Sequence, residues 1–358
     1  MKAAGPGAQT PARRLPRPRG PLSEYLVERL RWRPHDLAAV PEVDLSSIDP
    51  LVDDDLHLAL YLCYELHYRG WAGVQEGWEW EPTLLAFRRR LESAFLGALM
   101  KDVGPPERVD PAVVEDELHR ILGSGTGPSL SSYMSEKGTV EQFREFCVHR
   151  SAYQLKEADP HTWAIPRLDG AAKAALVLIQ SDEYGNGIPE DVHAERFAVT
   201  MESLGLDRTY GAYLDHVPGV TLATVNLISL FGLHRQWRGA LVGHLAIFEM
   251  ASVVPMGRYA AALRRLGFGP EATDFYDVHV EADEIHQVVA ARDLAAGFAA
   301  QEPDRAGDIL FGARAIMKVE ERFATALHEA WTSGRKSLRL PLAPLVVRAP
   351  ARVATCLA

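Results

Sequence analysis

The stretch His279-Val-Glu-Ala-Asp283-Glu-Ile-His286 limits the folds open to this chain more than any other. It places two imidazoles and a carboxylate at i, i+4 and i+7, which share one face of an α-helix. Val278, Val280, Ala282, Ile285, Val288 and Val289 around them predict a largely buried helix. Ionisable groups there are costly unless something compensates them. A bound metal would do so; a run of ordinary helix polar residues is the alternative. On the metal reading, further carboxylates and histidines must come from other buried helices. Glu281 and Glu284 turn away from the shared face and are not candidates.

The chain has 358 residues, 47% of them hydrophobic and 24% charged, enough for a substantial core in one large domain or two smaller ones. No alternating strand pattern appears, and no Asn-Gly or Asp-Gly turn joins two strands, so the expected class is all-α. A net charge of −10, without a basic cluster in the body of the chain, argues against a nucleic-acid partner. Cys63, Cys147 and Cys356 lie far apart, which disfavours disulfides or a thiolate metal site and fits a cytoplasmic protein. Gly239 to Gly257 has the length of a membrane span, but His244, Glu249 and Pro255 make it a buried soluble helix, so no membrane is expected.

Residues 1–22, rich in Pro, Gly, Ala and Arg, are expected to be a mobile tail. Residues 23–128 read as an N-terminal helical accessory region, with helices at Leu22–Leu30, Asp54–Tyr68, Thr83–Met100 and Pro111–Leu122. Its aromatic stretch Leu66–Trp80 is read as packing, within the fold or across a dimer interface. Asp53 and His57 are taken as structural at a helix start, and Glu65 and His67 point to different faces. Gly123–Thr139, rich in Gly and Ser, reads as a linker or long loop. Residues 129–335 form the main unit. Helices are expected there at Val140–Ala158, Gly170–Glu183, Pro189–Leu204, Thr221–Arg235, Arg238–Leu266, Pro270–Gln301 and Asp308–Thr332. Residues 336–358, Pro-broken and apolar, are expected to form an extended arm laid on a neighbour.

Glu249 is the only acid between Arg238 and Glu271, in an apolar run where a lone carboxylate would be driven neutral. A hydrogen bond to a helix neighbour such as His244 is the alternative, and His244 itself reads as a satisfied core histidine. Upstream, the helix ending at Glu183 is broken by Gly185 and Gly187 before Pro189 starts the next, which would let Glu183 and His193 meet across the break. Asp182, Glu190, Asp191 and Glu195 nearby read as solvated or capping groups. Glu157 closes a helix containing Phe143, Phe146, Tyr153 and Leu155.

Taken in order, Glu183, His193, Glu249, His279, Asp283 and His286 resemble the heme-oxygenase-like diiron oxidases and oxygenases, the iron-containing redox enzymes, over about residues 140–332. The long Glu-to-His separation through Tyr184-Gly-Asn-Gly187 most resembles the N-oxygenase branch, in which a further Glu joins the cluster; Glu157 matches it here. The resemblance implies a heme-oxygenase-like helical bundle with an N-terminal helical extension, holding two Fe ions. Three carboxylates and three neutral imidazoles suit iron or manganese better than structural zinc. Glu157, as a fourth carboxylate, would balance the +4 charge of two Fe(III) and a peroxide.

The implied activity is O2 activation through a peroxo-diferric intermediate, followed by N-oxygenation of an amine, guanidine or amino-heterocycle in natural-product biosynthesis. Other members carry out C–H abstraction, desaturation or C–C cleavage on amino acids or fatty acids, which is the alternative. Expected partners are a small-molecule substrate, an external electron donor and a second copy in a homodimer.

Overall fold

Apolar residues recur at helical spacing along the chain, and in the computed structural model, which describes residues 13–345, they form helices and no strand among the described residues. The all-α class holds. The N-terminal region contains α1 (Pro21–Leu30), α2 (Asp54–Glu65), α3 (Pro82–Val103) and α4 (Val114–Gly123). The main unit contains α5 (Leu130–Lys137), α6 (Val140–Gln154), the short α7 (Asp159–Thr162), α8 (Gly170–Glu183) and α9 (His193–Ser203). It continues with α10 (Gly219–Leu233), α11 (Arg238–Arg265), α12 (Pro270–Val288), α13 (Gly297–Gln301) and α14 (Ala306–Thr332).

Every residue of α10 from Gly219 to Gly232 is buried, as expected of a helix that is apolar on all sides and must sit in the centre. It packs against α2, α11 and α14, and α11 in turn lies against α12 and α14. Close approach of α11 and α14 depends on two glycines. A Cβ on Gly243 would lie 1.9 Å from the Ile309 carbonyl oxygen, and one on Gly312 would lie 2.0 Å from that of Ala240. The same hydrophobic core includes α1 to α4, so packing runs unbroken across the expected boundary at residues 128 and 129.

Several expected boundaries change. Residues 13–20, placed in the mobile tail, are held: Arg13 pairs with Glu65 at 2.6 Å, and Arg19 donates to the Leu214 carbonyl at 2.7 Å. Pro21 and Leu22, also placed in that tail, open α1, and residues 1–12 lie outside the described residues. The expected linker Gly123–Thr139 contains α5, capped by Ser129 and anchored by buried Leu130 and Met134. Of the expected C-terminal arm, residues 337–345 lie on this chain itself; Arg339 N–H donates to the His216 carbonyl at 2.8 Å, and Arg144 donates to the Ala343 carbonyl at 2.9 Å. Residues 346–358 lie outside the described residues. The helix expected over Pro270–Gln301 passes through a π-helical segment, Val289–Ala296, before α13.

Sequence readings of the N-terminal region hold at particular residues. Asp53 caps α2 by accepting from the Asp55 and Leu56 amides, and His57 packs edge-on against Phe95. Trp71 and Trp78 are buried with their indole N–H groups on backbone carbonyls, whereas Trp80 is exposed.

Candidate metal centre

Five segments deliver the site. Glu183 is the last residue of α8, and His193 is the first of α9. Between them Gly185, at φ +62°, passes so near the 191–192 backbone that a Cβ would lie 2.6 Å from it. That close fold-back, which only glycine permits, sets His193 Nδ1 3.0 Å from Glu183 Oε2. The predicted break therefore brings the pair together, although Pro189 opens a 3-10 turn and α9 starts later, at His193. Glu249 comes from α11, and His279, Asp283 and His286 share the inner face of α12, all buried. Glu157 does not close a helix as expected. α6 ends at Gln154, and Glu157 stands in the turn before Ala158, whose φ is +73°.

These side chains form two clusters. Glu157, Glu183, His193 and His279 present ligand atoms within 4.8 Å of one another, and so do Glu183, Glu249 and His286. Glu183 belongs to both. Asp283 stands beside the second cluster, its Oδ1 3.6 Å from His286 Nδ1, while its Oδ2 is held by the Ser252 hydroxyl. Six of the seven expected ligands thus converge, and the seventh adjoins them.

Hydrogen bonds on one ring nitrogen turn the other nitrogen of two imidazoles inward. His279 Nδ1–H donates to the Phe275 carbonyl at 2.7 Å, so Nε2 is free, 3.7 Å from Glu157 Oε2. His286 Nε2–H donates to Asp182 Oδ2 at 2.8 Å, leaving Nδ1 3.5 Å from Glu249 Oε2. Asp182, read from sequence as a solvated acid, is therefore the group that orients His286. No local signal pointed to it, because its partner lies 104 positions away in the chain.

The electrostatics are those of a site short of positive charge. Burial pushes Glu249 up to about 8, and Glu157 is driven well above the carboxylate range by burial and then by Glu183, Asp283 and Glu249. For Glu183, burial is outweighed by His193, His279 and His286, which hold it down at about 2. For His286, burial is outweighed by Asp283, Glu249 and Asp182, which raise it to about 11. Glu157 Oε2, Glu183 Oε2, His193 Nδ1 and His286 Nδ1 are buried without a hydrogen-bond partner among the described residues. Buried polar atoms are rarely left so, and here they point at one another across two small gaps. Carboxylate oxygens and imidazole nitrogens without a thiolate suit iron, and the residues fit it.

A cavity of about 750 Å³ joins this site to residues 124–131, the loop before α5 and the first turn of that helix. Tyr153, Phe248, Tyr259 and Tyr276 line it near the carboxylates, and Arg150 crosses it in a two-point pair with Glu320 at 2.8 and 2.7 Å. Neither the pair nor Tyr153 stood out in the sequence as part of a site.

An all-α bundle that buries such a cluster of carboxylates and imidazoles has the donor set of a metal-binding protein of the iron or manganese class. The sequence model of the iron-containing redox enzymes matches residues 144–321, which include every residue of both clusters, and the chain belongs to that family. Among curated proteins it is similar to nitrosourea synthase of Streptomyces achromogenes subsp. streptozoticus, 26% identical over an alignment of 207 residues that covers 50% of this chain and 44% of the relative. The chain thus spans less than half the length of that relative.

Proposed function

We propose that this iron-containing redox enzyme is an O2-dependent oxygenase that holds two iron ions. It oxygenates the nitrogen of an amine, guanidine or amino-heterocycle in small-molecule biosynthesis. The observation that carries the reading is Glu183, a carboxylate common to two buried oxygen–nitrogen clusters, four of whose facing atoms have no hydrogen-bond partner among the described residues. Similarity to a nitrosourea synthase favours nitrogen as the site of oxidation, because a nitrosourea contains an oxidised nitrogen.

Glu157, Glu183, His193 and His279 would hold one ion; Glu183, Glu249 and His286 would hold the other, with Asp283 alongside. Bound iron supplies the redox chemistry with O2, drawing electrons from an external donor. The chain supplies the rest. The Phe275 carbonyl and Asp182 orient two imidazoles so that one nitrogen of each would face a metal ion. Aromatic walls at Phe248, Tyr259 and Tyr276 keep the inner cavity poor in water. The Arg150–Glu320 pair gives a polar substrate fixed charges against which to orient.

The test is anaerobic Fe(II) loading with metal analysis, then exposure to labelled O2 with a panel of amines and guanidines. Two ions per chain and a labelled oxygen on product nitrogen are expected. A single ion would overturn the dinuclear reading. Products that have lost hydrogen or carbon without gaining oxygen would replace N-oxygenation with C–H or C–C chemistry.

A further inference from the structure

Glu157 is the one candidate ligand held by neither a helix nor a helix end, so its position must be set by something else. The residue before it, Lys156, is 1% exposed, and its ammonium points away from the metal centre into the N-terminal region. There Lys156 Nζ meets Glu65 Oε2 at 3.2 Å and lies over the Tyr68 ring, 4.1 Å from its centroid. Glu65 is also 1% exposed and is saturated: its Oε2 accepts from the Tyr210 hydroxyl at 2.7 Å, and its Oε1 accepts from Arg13 at 2.6 Å. On the other side of Glu157, the Ala158 carbonyl accepts from Gln180 Nε2 at 2.9 Å and from the Thr162 hydroxyl at 3.2 Å. Ala158 holds a left-handed φ of +73°, which a residue with a Cβ keeps only when its surroundings impose it.

We infer that Arg13, Glu65 and Lys156 form a buried latch that holds the turn carrying Glu157, making the N-terminal region part of the metal centre. The inference rests on the two-iron reading above. Lys156 and Glu65 are positioning residues: they touch neither cluster and act through the backbone of residues 156–158. The buried ammonium cannot leave Glu65 without becoming an uncompensated charge itself, so the pair resists any swing of the turn. Arg13 closes the second oxygen of Glu65 and ties the latch to the extended segment ahead of α1.

The experiment is anaerobic Fe(II) titration of the full chain as wild type, Glu157→Gln, Lys156→Met and the double variant. Melting of each metal-free protein is followed alongside. Lys156→Met and Glu157→Gln are each expected to weaken one of the two binding steps by about tenfold. The double variant should bind no more weakly than Glu157→Gln alone, because both changes act on one contact. General loosening of the fold would lower melting but would not produce this coupling. Wild-type affinities in Lys156→Met, or losses that add in the double variant, overturn the latch and leave the two-iron centre standing. Failure of wild type to take up iron overturns that centre and the latch with it. Should Lys156→Met fail to fold, Arg13→Ala in the Glu157→Gln background gives the same comparison, and additive losses there also overturn the latch.

Discussion

His286 shows how much one side chain of the centre depends on its two faces. Nδ1 looks into the second cluster, and Nε2–H is fixed on Asp182. His286→Ala should therefore remove one ion and abolish turnover, whereas Glu284→Ala, on an exposed position of α12, should leave both at wild-type level; metal analysis and activity read the difference. Equal behaviour of the two variants would mean that the helical register is wrong. Asp182→Asn keeps the shape but removes the charge that holds the imidazole. It should lower affinity at the second cluster by about 10- to 100-fold with little change in folding, as read by metal titration and circular dichroism. Unchanged affinity would reduce Asp182 to a surface contact.

At the scale of helices, the reciprocal contact of α11 with α14 sets where Glu249 stands. Gly243→Ala or Gly312→Ala would drive a methyl group into a facing carbonyl. Each should cost about 1–3 kcal/mol of stability and loosen metal binding, because α11 carries Glu249. Equilibrium unfolding with and without Fe(II) measures both effects, and a neutral result would mean that the two helices can separate cheaply. The identity of most helices was legible from their apolar spacing, and so was the face shared by His279, Asp283 and His286. The Glu183–His193 fold-back was also readable, since paired glycines leave a helix few ways to continue. The turn around Glu157 was not. It is held by Glu65, through Lys156, and by Gln180, from two other parts of the chain, with Thr162 close by, and helical periodicity runs through it without a mark. For the same reason α5 lay hidden in a Gly- and Ser-rich stretch: Leu130 and Met134 acquire their meaning only when something packs on them. Asp182 and Ser252 were missed because their roles exist only across helices.

Across the whole molecule, the buried histidines make stability depend on pH. Burial lowers His57 to about 3, His149 to about 3 and His161 to about 4, so all three are neutral in the fold. In the unfolded chain each takes up a proton near pH 6.5. The unfolded state therefore binds more protons below that value, and stability falls as pH drops from about 6.5 towards 4. Each histidine contributes up to about 1.4 kcal/mol per pH unit in that window. Glu249 acts in the opposite sense in metal-free protein, where its raised value near 8 favours the fold at low pH, and metal binding removes that effect. Denaturation midpoints measured from pH 7 to 5 should thus fall more steeply for iron-loaded than for metal-free protein; parallel curves would contradict the assignment. The carboxylate of Glu183 has a consequence of another kind. Two ions that share one ligand are thermodynamically linked: whatever the first does to the affinity of the second, the second does equally to the first. On the proposed two-iron reading, the population of half-loaded molecules, and hence the fraction of protein able to react at limiting iron, would depend on a single shared side chain at the end of α8.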